Sequence, residues 1–313
     1  MNGNRESACL RAYAGWQAPN DPGEFSGEVR FRRGHRPLKD WNQIWKDMMG
    51  KRRGVAPDCA DLWDEEKHAR HYWETIQQLG QKRMMKTFSG LDVRRNSRVL
   101  DIGAGPGTLA LPLSCKVSSI SAVEPSPGMM QVLQENLSDR RIENVCCIQK
   151  RWEEVDAAAE LDSPYDAVIA AFSLDMPDLR QAVQKMIRVC SGYVYLYWFS
   201  GWPSWTAYYQ AVWPSLHGMP YQPSPKFDVL LRVLKQMGIN PHVEFIPTHF
   251  PIRFPSLEDA LEELSPEFAV RTDPQREMLA RFLDSILVPE GGFFVLPHFY
   301  MAGKAWWKAA APV

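Results

Sequence analysis

The chain has 313 residues, 45% of them hydrophobic, and a formal net charge of −1. That length suits one large domain or a domain with a cap, and the neutral balance supplies no global field to draw the protein to nucleic acid or to an anionic membrane. No apolar run approaches a membrane span, and the 6 cysteines, at positions 9, 59, 115, 146, 147 and 190, form no C-x-x-C pair. They read as free thiols in a reducing compartment, not as a disulfide frame or a zinc site. The opening Met-Asn-Gly-Asn-Arg-Glu lacks the apolar core of a signal peptide, so a cytoplasmic protein is expected.

Residues 1–60 mix Pro, Gly and charge, with a basic run at Arg30, Arg32, Arg33, Arg36 and Lys39 and a second at Lys51, Arg52 and Arg53. A run of this kind serves either as a solvated segment or as a nucleic-acid arm. The neutral balance of the whole chain favours the first. Trp41 and Trp45 are spaced i, i+4 and share one face of a predicted helix. Residues 61–90 read as another helix, with Leu62, Ala69, Tyr72, Ile76 and Leu79 near one face. His68 and His71 on it have a spacing that can ligate a metal, but no third ligand stands at useful spacing, so no metal is expected.

Arg98-Val99-Leu100 reads as a buried strand that stops at Asp101 and enters a turn with glycines at 103, 105 and 107. Thr108–Ser114 begins a helix. Strand, glycine turn and helix together bring a small molecule against bare backbone at the carboxyl end of a parallel strand. A dinucleotide requires G-x-G-x-x-G. The spacing here is G-x-G-x-G, with an acid two positions before the first glycine, which argues against a dehydrogenase. Further strands follow at Ile120–Glu124, Val145–Gln149, Tyr165–Phe172 and Gly192–Phe199, with helical segments between them. An amphipathic helix over 227–238 ends in glycine, a normal C-cap. Residues 242–247 and 291–301 read as the sixth and seventh strands.

Asp101-x-Gly103-x-Gly105-x-Gly107 resembles motif I of the class I S-adenosylmethionine-dependent methyltransferases. The resemblance implies an α/β fold: a Rossmann-like, seven-stranded, mostly parallel sheet with helices on both faces, its last two strands antiparallel. It implies a methyltransferase domain over 90–313, preceded by an N-terminal arm and helical lid over 1–89. S-adenosylmethionine is the implied cofactor and S-adenosylhomocysteine the product. By the same resemblance Asp101, Gly103, Ala104, Gly105 and Gly107 hold the methionine half. Glu124 takes both ribose hydroxyls, since a carboxylate accepts two hydrogen bonds at once. Pro125 and Met129 or Met130 follow it toward the adenine. The adenine slot after the third strand departs from the family's usual Gly-Asp; Trp152 and Glu153 are the nearest candidates, and the indole either flanks adenine or packs in the core. Phe172 to Asp178 matches motif IV, where the chain passes the transferring methyl group. The lid helix offers Trp63, Arg70 and Tyr72 to the cofactor carboxylate or to the substrate.

The 12 tryptophans cluster outside the glycine-turn core. Residues 200–240 are an aromatic-rich insertion whose place after the fifth strand puts it over the methyl group in this fold. Trp198, Trp202 and Tyr208, with Trp63 and Tyr72, are the substrate candidates. An aromatic cover suits an apolar or cationic acceptor, or it only packs the cap.

The expected function is methyl transfer to a small-molecule acceptor by in-line displacement, in which the protein aligns the groups and excludes water. A general base is required only if the acceptor loses a proton, and Asp175, His68, Tyr72 and Tyr208 are candidates outside any diagnostic motif. The Asn/Asp-Pro-Pro-Tyr/Phe signature of amino-group methylation on nucleic acid is replaced by Phe172-Ser-Leu-Asp. Two other readings are methylation of a macromolecule, RNA or protein, through the basic run, and a catalytically silent cofactor-binding scaffold. The sequence names neither the acceptor atom nor the oligomeric state.

Overall fold

The computed structural model describes residues 39–54, 61–78, 90–249 and 251–309. In chain order, helices Trp41–Arg53 (α1) and Glu66–Gln78 (α2) precede strand Arg98–Ile102 (β1). Helix Ala110–Ser114 (α3), strand Ser119–Val123 (β2), helix Pro127–Asp139 (α4) and strand Val145–Ile148 (β3) follow. Next come Tyr165–Ala171 (β4), Leu179–Arg188 (α5), Cys190–Ser200 (β5), Ser204–His217 (α6), Phe227–Gln236 (α7) and His242–His249 (β6). The chain closes with Ile252–Phe254 (β7), Leu257–Leu264 (α8), Asp273–Ile286 (α9), Val288–Glu290 (β8), Phe293–Leu296 (β9) and Phe299–Lys308 (β10).

Seven strands form one sheet in the order β3-β2-β1-β4-β5-β10-β6. The first five run parallel, and β10 lies antiparallel between β5 and β6. Alternate residues of β1 serve opposite faces. Leu100 and Ile102 join the core with α1, α5 and α7, while Val99 joins the one formed with α3. Both faces are therefore buried, as strands joined by helical crossovers require. α4 lays Met130, Leu133 and Leu137 over Ala104 and Ala122.

The N-terminal helices are tied down by different devices. Asp40 caps α1 by accepting from the Asn42 and Gln43 amides. Trp45 is fully buried and donates its indole N–H to the Met176 carbonyl at 2.9 Å. Asn42 donates to Asp178 and accepts from the Arg180 amide, which fixes α1 to the start of α5. α2 packs on α4 instead, through Ala69, Met129 and Val132 and an Arg70–Glu135 ion pair. The turn before it rests on Gly128, where a Cβ would come within 2.4 Å of the Trp63 carbonyl oxygen.

Two expectations change. The stretch over 291–301 is not the seventh strand. Gly291 and Gly292 have positive φ and turn β8 into β9, which pairs with β7 and β8 in a separate three-stranded sheet. Pro297 has no N–H to extend a ladder, and the seventh strand of the main sheet starts at Phe299. The segment after β5 also divides. α7 belongs to the core of the main sheet, whereas α6 joins α8, α9 and β9 in a core of its own, built from Val212, Leu216, Leu261, Leu264, Leu279 and Leu283 among others. The cap therefore draws on 251–298 as well as on 204–217. The basic run from Arg30 to Arg36, Cys9, Cys59 and Leu79 lie outside the described residues. No helix among the described residues is long and apolar enough to cross a membrane.

Candidate cofactor and acceptor site

The glycine turn is hung from β2. The amides of Gly103 and Ala104 both donate to the Val123 carbonyl, at 2.7 and 3.1 Å. Gly103, Gly105 and Gly107 all have positive φ, a region that L side chains enter at a cost. Their surroundings differ. A Cβ on Gly103 would meet Ser173 at 2.2 Å, and one on Gly107 would meet Leu111 and Leu133 at 2.8 Å. At Gly105 nothing stands within 4 Å. The turn thus packs at both ends and presents bare backbone to open space at its middle. The Ala104 side chain faces inward, in the cluster beneath α4.

Glu124, 6% exposed at the tip of β2, spans the two turns. One carboxylate oxygen accepts from the Gly105 amide at 2.8 Å and the other from the Ser126 amide at 2.9 Å. Burial pushes its carboxyl above the usual range against the pull of those two amides. Each oxygen retains acceptor capacity for a hydroxyl. Asp101, at the neighbouring strand tip, is 1% exposed and neither of its oxygens has a hydrogen-bond partner among the described residues. Burial first, then the charge of Glu124, raises its carboxyl to about 7. A buried acid without a donor is costly unless a ligand supplies one.

Ser126 caps α4 through the Met129 amide and donates its hydroxyl to the Trp63 carbonyl at 2.7 Å. Trp63 and Tyr72, 5.1 Å apart between ring centroids, pack with Met129, so these substrate candidates stand beside the β2 turn. Met130 points the other way, into the core under α4. Pro125, between Glu124 and Ser126, is half-buried. Arg70 pairs with Glu66 and Glu135, and His71 with Glu263 at 2.8 Å; half-buried His68 has no ion pair among the described residues.

Two aromatic candidates are corrected. Trp152 is core: its N–H donates to the Ala182 carbonyl, its face lies 4.6 Å from the Lys185 ammonium, and it is 2% exposed. The adjoining Glu153 is exposed on its short helical turn. Trp198 is also core, 3% exposed, with its N–H on the Pro225 carbonyl and its ring against Trp45. Trp202, by contrast, is 59% exposed, with Lys226 over its ring.

At the carboxyl ends of β4 and β5 the chain assembles rings. Phe172 has φ of 60°, a left-handed conformation that costs a non-glycine residue about 1–3 kcal/mol and concentrates at functional positions. Its ring contacts Phe199 at 5.0 Å and Tyr300 at 5.4 Å, and Trp205 lies 5.0 Å beyond Phe199. Trp205 stacks on His298 and lines a cavity with Tyr208, Tyr209, Phe268 and Glu267. The Tyr208 hydroxyl donates to the Pro297 carbonyl at 2.6 Å. Asp175 lies half-buried in the loop after β4, its carbonyl accepting from Arg53.

Residues 99–192 match the family model for a methyltransferase domain. The chain therefore carries a methyltransferase domain within these residues. An uncharacterized protein of Haemophilus influenzae is 26% identical over 202 residues, 62% of this chain and 70% of that one. The 23S rRNA (uracil(1939)-C(5))-methyltransferase RlmD of Salmonella typhimurium is 27% identical over 110 residues, but the match spans only 23% of its length and 35% of this chain. Among solved structures, the BH2331 protein of Bacillus halodurans C-125 superposes with a TM-score of 0.52 at 16% identity, covering 73% of this chain and 99% of that one. At that identity the likeness is one of fold.

The observations at the turn fit S-adenosylmethionine: open space at Gly105, acceptor capacity on Glu124, and an acid at Asp101 in need of a donor. Among the described residues no group of three or more His, Cys, Asp or Glu could hold a metal ion. Sequence reasoning missed Ser173, whose hydroxyl donates to the Ile102 carbonyl and wedges the turn, and Arg151, which reaches Asp61 at 3.2 Å. It also missed Phe199, Trp205, Tyr209, Glu267 and Tyr300. Glu267 sits in a Ser-Pro-Glu-Phe stretch with no motif to mark it.

Proposed function

We propose that the protein transfers a methyl group from S-adenosylmethionine to a small-molecule acceptor received between the Rossmann-like core and the aromatic cap. The observation that carries this reading is the pair of buried acids at adjacent strand tips, Glu124 fastened to the Gly105 amide and Asp101 with no donor. When bound, S-adenosylmethionine supplies a methyl carbon activated by its sulfonium. Glu124 accepts from the ribose hydroxyls, and Asp101 accepts from the amino group of the methionine half, directly or through water. The bare backbone at Gly105 admits the cofactor where a side chain would stand. Phe172, Phe199 and Tyr300 exclude water from the reacting end, which strengthens every electrostatic contact there. Rate then follows from alignment of acceptor and methyl carbon.

Thermal unfolding with S-adenosylmethionine, S-adenosylhomocysteine and NADH tests the cofactor assignment. A ligand at 100 times its dissociation constant adds about 2.7 kcal/mol, several degrees for a chain this long. The first two ligands are expected to raise the midpoint and NADH is not. A shift with NADH alone overturns the reading.

A further inference from the structure

The cap cavity holds one acid among rings. It is lined by Trp205, Tyr208, Tyr209, Phe268 and His298, by aliphatic side chains, and by a single carboxylate, Glu267. Tyr209 donates its hydroxyl to Glu267 at 3.0 Å, which occupies one oxygen. Glu267 is half-buried and forms no ion pair among the described residues. Its remaining acceptor capacity faces the ring-lined cavity. A half-buried carboxylate beside aromatic faces favours a positive charge twice, by direct pairing and by the ring quadrupoles. The free space, about 10 Å³ in volume, matches one water-sized group. An ammonium head is that size.

The recess also shares Trp205 with the ring cluster around Phe172. Trp205 forms part of its wall and lies 5.0 Å from Phe199 and 5.6 Å from Tyr300, both of which touch Phe172. A molecule with its cationic head at Glu267 would run along these rings toward the tip of β4.

We propose that Glu267 and Tyr209 form the anchoring site for the ammonium head of the methyl acceptor, and that the acceptor is an aromatic amine carrying its cation into this recess. The proposal rests on the methyltransferase reading above and narrows its acceptor. Glu267 acts here as a specificity residue. Burial raises its carboxyl to about 7, with Tyr209 pulling it down and Glu263 pushing it up; His298 lines the same cavity, and the Arg52 charge acts on Tyr209. A cation bound there favours the carboxylate, so amine affinity rises from pH 6 to pH 8.

The test uses the full chain saturated with S-adenosylhomocysteine and three probes with one ring: phenethylamine, 2-phenylethanol and phenylacetate. Tryptophan fluorescence reports binding through Trp205. Phenethylamine is expected to bind at least tenfold more tightly than the alcohol or the acid. Glu267→Gln is expected to lower its affinity at least tenfold and to remove the pH dependence, with Tyr209→Phe giving a smaller loss. The stabilisation by S-adenosylhomocysteine is expected to persist in both variants. Equal affinity for amine and alcohol, or an unchanged amine affinity in Glu267→Gln, overturns the proposal. Should Glu267→Gln not fold, an unchanged affinity and pH profile in Tyr209→Phe overturns it equally. Loss of the S-adenosylhomocysteine effect in the wild type would instead sink the cofactor reading, a separable failure.

Discussion

The Gly105 amide donates to the Glu124 carboxylate across 2.8 Å, and that bond ties the middle of the glycine turn to the acid that follows β2. The acid proposed to hold the ribose is thus the same group that shapes the glycine turn. Glu124→Gln keeps an acceptor for one amide, while Glu124→Ala orphans both Gly105 and Ser126. The alanine variant is expected to lose about 1–3 kcal/mol of stability and both to lose cofactor binding. Thermal unfolding with and without S-adenosylhomocysteine measures both effects. A cofactor-induced shift that survives in Glu124→Ala would remove Glu124 from the site.

Asp101 gives a pH dependence with a definite sign. Its folded carboxyl lies at about 7, against an ordinary value of 3.8. Between those values the folded state holds a proton that the unfolded state has released, so this group's contribution to stability falls as pH rises through that window. Asp101→Asn removes the charge. The cofactor-free variant is expected to be more stable than the wild type at pH 8, by on the order of 4 kcal/mol, with the gap closing toward pH 4. Its cofactor affinity is expected to fall at least tenfold. Denaturant titrations at several pH values would detect the crossover.

Two glycine substitutions separate folding from binding. Gly103→Ala drives a Cβ into Ser173 and is expected to destabilise the protein without ligand. Gly105→Ala meets open space and carries only the cost of positive φ, about 1–2 kcal/mol. It is expected to fold but to bind S-adenosylhomocysteine poorly, because the added methyl fills the cradle. Circular dichroism paired with calorimetric titration reads both. Normal binding by Gly105→Ala would show that the ligand does not approach there.

His71 joins α2 to α8 through Glu263 at 2.8 Å. The Glu263 carboxylate raises its imidazole above 6.5, with Glu74 adding to the effect. A raised basic group stabilises fully below its unfolded value and loses that contribution as pH rises through the folded one. Proteolysis within α2 should therefore quicken between pH 6 and 8 in the wild type and be flat in His71→Ala. A variant that retains the wild-type profile would place the titrating group elsewhere.

The first two strands and their turn were legible because they carry chemistry in local sequence. Asp101, three glycines and Glu124 lie within a short span, and apolar runs mark the strands. Phe172 at motif IV was legible for the same reason. The cap was not. Glu267 reaches Tyr209 from 58 positions away, and neither residue stands in a repeating pattern. The seventh strand was misplaced because Phe293–Leu296 is as apolar as the start of Phe299–Lys308, and only Pro297 and His298 separate them. Trp152 and Trp198 look like site residues by position. Their N–H groups are satisfied by carbonyls 30 and 27 residues away, which no local signal announces.

The central claim is methyl transfer to a small molecule. Its most direct measurement supplies S-adenosylmethionine labelled in the methyl group to the purified protein with a cell extract, then separates small molecules from RNA and protein. The label is expected in the small-molecule fraction, in compounds retained by cation exchange, and to be lost in the Glu124→Ala variant. Label in the RNA or protein fraction, or none transferred beyond the level of the variant, would contradict it.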